Sequence, residues 1–264
     1  MAQVGRQVKS KALYTTMKSV PFFAVVASMA SLVTATVAGF DISHYQPNVD
    51  FKKAYADGAR FVIIKATEGT TYVDPSFSSH YTGATQAGLI RGGYHFARPG
   101  SGSGAAQATY FLAHGGGWSK DGITLPGMVD LEYNPSGSTC YGLSASAMVS
   151  WISDFVETYR SKTGVYPLIY TSTSWWNQCT GSSTAFGSKC PLVVARYATS
   201  VGALPAGWSY HTIWQNSDKA PWGGDNDIFN GNLDQLKRIA NASLILRVSC
   251  AVQVRRIRRS SESP

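Results

Sequence analysis

Charge is scarce in this chain: only 14% of its 264 residues are Asp, Glu, Lys or Arg. The formal excess of +8 is also unevenly placed. Residues 1–38 hold four basic side chains and no acid, and residues 241–264 hold five arginines against Glu262. Residues 39–240 hold 14 basic and 14 acidic residues and are neutral overall. The basic balance therefore belongs to the two ends, and the central segment carries no electrostatic footprint of a nucleic acid. Cysteine is limited to four residues with no Cys-x-x-Cys pair, so the spacing of a zinc site is missing and no metal is expected. No internal repeat and no interdomain linker interrupts the middle of the chain. The main apolar run, Val20 to Val33, is broken by Ser28 and Ser31 and is short for a membrane span.

What is present is a globular, loop-rich composition with 12% aromatics and 26 glycines. The length suits one large domain with a sizeable core. Residues 1–38 read as a signal-peptide region. Lys18 precedes the apolar run, and Thr36-Val37-Ala38 supplies small residues for cleavage. A start at Met17 would give a leader of ordinary length, which makes residues 1–16 an N-terminal extension. A secreted, extracellular protein is expected, without stable membrane insertion. Cysteine usage agrees with export. Cys140 and Cys179 are expected to bridge two strand-end loops, with Cys190 free, although spacing alone does not choose among the cysteines. Residues 241–264, with Cys250 and the run Arg255-Arg256-Ile257-Arg258-Arg259, fit neither strand nor helix and read as a basic tail, expected to be disordered or a gene-model artefact, with a membrane- or wall-binding tail as the alternative. Asn241-Ala242-Ser243 is a glycosylation sequon, a common pattern.

From Gly39 onward strands and helices alternate. Strands are expected at Gly39–Ser43, Arg60–Thr67, Leu89–Ala97, Leu125–Tyr133, Val165–Thr171, Leu192–Tyr197, His211–Gln215 and Asp227–Asn230. Helices are expected at Val49–Asp57, Pro75–Ala87, Gly104–Ala113, Ser144–Lys162 and Leu233–Ala240, with Ser144 and Asn232 as N-caps. The β-branched run Phe61-Val62-Ile63-Ile64 reads as a strand covered on both faces. Alternation of this kind predicts a parallel sheet closed into a barrel. Weak helical content after Tyr170 makes it an irregular, TIM-like α/β barrel of about eight strands, occupying residues 39–240. Chemistry in such barrels sits at the C-terminal ends of the strands.

The most informative strand end is Met128-Val129-Asp130-Leu131-Glu132. Residues two apart on a strand share a face, so Asp130 and Glu132 project side by side. Two adjacent carboxyls cannot both ionise freely, which favours one acid and one anion. Glycoside cleavage uses that combination. A bare Asp-x-Glu is also an ordinary solvated strand end, so the other strand ends carry the weight. They offer Asp41, Tyr94 and His95, Tyr170, Arg196 and Tyr197, Trp214 and Gln215, then Asp225 and Asp227. Acids among tyrosines and tryptophans suit a polysaccharide: aromatic faces stack on sugar rings, and carboxylates and amides take hydroxyls. Each has a plainer reading. Asp41 could cap a turn, Tyr94 and Tyr170 could be barrel wall, and His95 reads better as a hydrogen-bonded core histidine. Turn chemistry explains at least one of Asp225 and Asp227. Lys65 and Glu68 read as an ion pair. Of Trp175 and Trp176, one is expected in the core and one as a sugar platform.

Taken together, several segments resemble the lysozymes of glycoside hydrolase family 25, the Chalaropsis-type N-acetylmuramidases, in their fungal branch. They are Gly39-Phe40-Asp41-Ile42-Ser43-His44-Tyr45-Gln46, Phe61 to Gly69, Gly92-Gly93-Tyr94-His95-Phe96, Met128 to Glu132, Trp214-Gln215, and Gly224 to Gly231. The resemblance spans residues 39–240 in the family's order. It implies an irregular β/α barrel that hydrolyses the β-1,4 bond from N-acetylmuramic acid to N-acetylglucosamine in bacterial peptidoglycan. It implies Glu132 as general acid and Asp130 as the assisting carboxylate, acting as nucleophile or stabilising an oxazolinium ion formed by the substrate's acetamido group. Asp41, Asp225, Tyr94, Tyr170 and Gln215 would bind substrate. Asp227 stands where many relatives carry Asn. No cofactor is implied, and a monomer is expected. The alternatives are a non-catalytic peptidoglycan- or chitin-binding barrel, or a chitinase. The usual chitinase run, Asp-x-x-Asp-x-Asp-x-Glu, is longer than anything around Asp130.

Overall fold

The computed structural model describes residues 35–242, together with Met1 and Ala2. The apolar leader, the tail from residue 243 with Cys250, and Ser243 of the sequon lie outside the described residues.

The described elements are, in order, β1 (Val37–Ile42), α1 (Phe51–Ala56), β2 (Phe61–Glu68), β3 (Tyr72–Val73), α2 (Phe77–Ala87), β4 (Ile90–Phe96), α3 (Gly104–Ala113), β5 (Met128–Asp130), α4 (Ala145–Thr163), β6 (Leu168–Thr171), α5 (Thr173–Thr180), β7 (Leu192–Ala195), β8 (Ile213–Ser217), β9 (Asp225–Phe229) and α6 (Leu233–Ala240). The strands run β1-β9-β8-β7-β6-β5-β4-β2, and pairing of β1 with β2 closes the ring. The result is the expected irregular β/α barrel of eight strands, with β3 added as a short antiparallel flap on the end of β2.

Three features differ from the sequence reading. The barrel is not wholly parallel: β9 runs antiparallel to both β1 and β8. The physical reason is connection length. Only residues 218–224 join β8 to β9, enough for a hairpin and too few for a parallel crossover. The second difference is α5, a helix in the stretch expected to lack one. Ser172 caps it by accepting from the Trp175 N–H, and Gly181 ends it in a left-handed conformation. Its residues are mediocre helix formers, so tertiary packing decides. The third is that β1 begins at Val37, inside the stretch read as small residues for cleavage. Val37 is buried and pairs with Phe229.

Alternation along the strands sorts the core into layers. Phe61, Ile63, Met128, Leu168, Val193, Ile213 and Phe229 point inward and fill the barrel. Leu236 and Ala240 of α6 pack with them. Val62 and Ile64 point outward, into a layer with Phe51 and Ala54 of α1 and Ala84 of α2. The opposite wall is the larger one. There Val129, Leu131 and Ile169 meet Phe111 of α3 and Trp151, Phe155 and Tyr159 of α4. Burial of each such large side chain contributes about 1.5–3 kcal/mol. Trp175 and Trp176 are both fully buried in this layer, at 0% exposure, so neither is a sugar platform. An eight-residue helix that must bury one face against α4 takes both indoles inward.

The disulfide Cys140–Cys179 is formed and ties the β5–α4 loop to α5, with a Cα–Cα distance of 5.3 Å. Cys190 is buried and has no disulfide partner among the described residues. Among the described residues, no helix is long and apolar enough to cross a membrane.

Candidate active site

The C-terminal ends of the barrel strands gather the polar residues. Asp41 lies at the end of β1, aligned with Asp225 on the antiparallel β9. Their approach depends on Gly224, which has φ +71°; a Cβ there would collide with the Asp41 carbonyl oxygen. The glycine lets the hairpin fold down against β1 and sets the two carboxyls on one rim.

Gln215 of β8 holds this rim together. Its Nε2 donates to Asp41 Oδ2 at 2.8 Å and to Asp225 Oδ2 at 3.1 Å. Its Oε1 accepts from the hydroxyls of Tyr170 at 2.9 Å and Tyr197 at 3.2 Å. The Tyr197 hydroxyl also lies 3.4 Å from Asp225 Oδ2. One buried amide thus links four strands, and all its polar capacity toward the cleft is used.

Asp130 ends β5 and is buried at 6% exposure, whereas Glu132 beyond it is partly exposed. Leu131 between them is buried in the outer layer, so the inward alternation continues past the strand proper. The Leu131 N–H donating to the Tyr170 carbonyl at 2.9 Å holds that register. Asp130 and Glu132 therefore face the cleft together. Tyr94 of β4 pairs in register with Met128 and packs on the inward core, below the acids.

Electrostatics follow from burial. Desolvation, then the neighbouring Asp225, pushes Asp41 up to about 8. Desolvation, then Glu132 and Asp41, pushes Asp130 well above the usual carboxylate range. Glu132 is raised too, chiefly by desolvation, with Lys65 and Arg98 pulling the other way. Asp225 is raised by desolvation. The cleft thus concentrates carboxyls that keep protons where ordinary ones lose them.

Glu68 sits beside this group, bonded by Lys65 Nζ at 2.7 Å and Arg98 Nε at 2.8 Å. The cations hold it below the usual range. The Lys65–Glu68 pair is as read from sequence. Arg98 was not singled out, although it follows directly on the end of a strand, the position that marked the other candidates. Tyr197, expected at the end of a strand, lies beyond the end of β7 at Ala195, and its hydroxyl still joins the rim.

Other candidates fall elsewhere. His95 points outward, between Thr67 Oγ1 at 2.7 Å and Gln107 Oε1 at 2.9 Å, and packs on Phe111 and Phe155. Burial lowers it to about 4, so it is a neutral core histidine. Trp214 also faces the outer layer. Neither Asp225 nor Asp227 makes a turn. Both lie in β9, and Asp227 is 1% exposed inside the barrel.

Comparison with known proteins places this arrangement. The chain matches the model of glycosyl hydrolases family 25 over residues 40–225. It is 60% identical over 219 residues to an N,O-diacetylmuramidase of Arthroderma benhamiae, covering 82% of this chain and 93% of that protein. It is 61% identical over 209 residues to an N,O-diacetylmuramidase of a Chalaropsis species, covering 78% and 99%. The solved muramidase structure from Trichobolus zukalii shares 65% identity, covers 78% of this chain and all of that one, and superposes with a TM-score of 0.77. The family match spans most of the barrel and includes Asp41, Asp130, Glu132 and Asp225, so this chain belongs to glycosyl hydrolases family 25.

Proposed function

We propose that the protein is a secreted lysozyme that hydrolyses the β-1,4 bond between N-acetylmuramic acid and N-acetylglucosamine in bacterial peptidoglycan. One observation carries the reading: Asp130 and Glu132 share one face at a barrel strand end, in a cleft where burial raises both. Glu132 is the more exposed of the two and reaches the open side of the cleft, where a glycosidic oxygen would sit. Its raised proton affinity suits a general acid at mildly acidic to neutral pH.

Asp130 is the assisting carboxylate. In the free cleft it is the deeper group, and burial with the Glu132 carboxyl beside it raises its proton affinity. The reaction needs the proton on Glu132 and the charge on Asp130. Positive charge developing at the sugar's anomeric carbon or its acetamido group draws the charge onto Asp130, since a nearby cation favours the anion. Asp41, Asp225, Tyr94, Tyr170 and Gln215 shape the sugar site and hold the charge balance. The relatives' name extends the proposal to muramic acid carrying both N- and O-acetyl groups. The disulfide supports an extracellular location, because such bonds persist in oxidising compartments. A monomer acting on the polymer directly is part of the same proposal.

The test is reducing-sugar release from O-acetylated peptidoglycan, from the same material after de-O-acetylation, and from chitin. Wild type and Glu132→Gln are compared. Release from peptidoglycan only, reduced about a thousandfold or more by the substitution, is the expected result. Release from chitin alone would make the protein a chitinase. Binding without release would make it a non-catalytic wall-binding barrel.

A further inference from the structure

Asp227 is a buried carboxyl of the barrel that takes part in none of the contacts above. It lies on β9 opposite Gly39 of β1 and Gln215 of β8. Its side chain is 1% exposed, and neither carboxyl oxygen has a hydrogen-bond partner among the described residues. The neighbours do not invite an anion. Gly39 has no side chain, and the Phe61 ring fills the space a Cβ would take. Gln215 spends its amide on Asp41 and Asp225 above. Phe229, next on the same face, belongs to the apolar barrel interior. The titratable groups facing Asp227 are Asp41 from β1 and Asp225 from its own strand; β8 contributes the neutral Gln215, and no lysine or arginine acts on it.

We propose that Asp227 is a positioning residue of the cleft, an uncharged carboxyl that forms the floor beneath Asp41 and Asp225 and keeps a further negative charge away from them. An ionised, unpaired carboxylate in this environment would lose its hydration and gain two repulsions with nothing to offset them. A proton on Asp227 removes all three costs. Burial and the two facing acids raise its proton affinity well above that of an ordinary aspartate, in agreement. The floor therefore sets how much charge the rim above can carry. The carboxyls of Asp41 and Asp225 can exchange protons with substrate chemistry because the group below them stays neutral.

Linkage fixes the sign of the test. An aspartate that keeps its proton when folded and loses it when unfolded contributes nothing below its unfolded pKa of about 4, and increasingly destabilises the fold as pH rises above it. Asp227→Asn keeps the shape and removes the titration. The gap in thermal midpoint between D227N and wild type is therefore expected to be smallest near about pH 4 and to widen with rising pH, in favour of the variant. An infrared band of a protonated carboxylic acid, present in the wild type at neutral pH and absent from D227N, is the direct signature.

A pH-independent gap, or no such band at neutral pH, would overturn the proposal. So would failure of D227N to fold, because a neutral isostere should be accepted where a neutral acid sits. Loss of sugar release by folded D227N at every pH would show that the ionised carboxylate is used, and would overturn it as well. The inference rests on the lysozyme reading only for that last readout. Absence of sugar release by the wild type would sink the lysozyme reading and leave the infrared and stability results to stand alone.

Discussion

Replacing Gln215 by leucine should reveal how much of the cleft one amide holds. The side chain donates at 2.8 and 3.1 Å to two carboxyls and accepts from two tyrosines. A typical net hydrogen bond contributes about 0.5–1.5 kcal/mol, and one to a charged group about 1.5–3. Leucine removes all four at nearly constant volume, so cavity formation is a small term. Tyr197 lies at the surface and regains water. The part-buried Tyr170 hydroxyl and Asp41 carboxyl regain it less completely, and each group left stranded costs about 1–3 kcal/mol. The expected loss is about 3 kcal/mol, or a fall on the order of 10 °C in the midpoint for a domain of this size. Urea denaturation followed by tryptophan fluorescence measures it. The mechanism makes a sharper demand. Tyr170→Phe should destabilise the wild type, yet recover about 1 kcal/mol in the Gln215→Leu background, because it removes the stranded hydroxyl. A loss below about 0.5 kcal/mol, or strict additivity of the two substitutions, would refute the idea that Gln215 is the shared partner.

Two further outcomes follow from the same structure. Cys140→Ser with Cys179→Ser opens a loop of sequence separation 39, and chain entropy puts the loss at about 4 kcal/mol; a double variant as stable as the wild type would show that the reduced chain is already constrained there. The pH dependence of stability has a defined sign between about pH 7.5 and pH 8. In that window the histidines lowered by burial, His80, His95 and His211, are almost wholly neutral in both states and add little. Asp41, raised to about 8, and the raised Asp130 keep protons that the unfolded chain has lost. Stability should therefore fall as pH rises, by about 1.4 kcal/mol per pH unit for each proton retained. Denaturation midpoints that rise across this window would contradict the assignment.

Much of the fold was written locally. The β-branched run of β2, the glycine stops after α2 and α4, and the serine and asparagine caps of α4 and α6 placed those elements within a few residues. Those signals act over one or two turns of chain, so neighbouring residues suffice to read them. The period of two along β5 also determined, without any coordinates, that Asp130 and Glu132 share a face. What the sequence left open depended on groups far apart in the chain. The pairing of β9 with β1, which closes the barrel, joins residues more than 180 positions apart. The burial of both Trp175 and Trp176 comes from the layer under α4, which no local pattern describes. The role of Gln215 is set by partners up to 174 positions away, and Asp227 became a neutral carboxyl only because the barrel closed around it. Side-chain type and alternation are properties of a short segment, but desolvation and hydrogen-bond partnership belong to the assembled barrel. The chemistry of this cleft rests on the second kind.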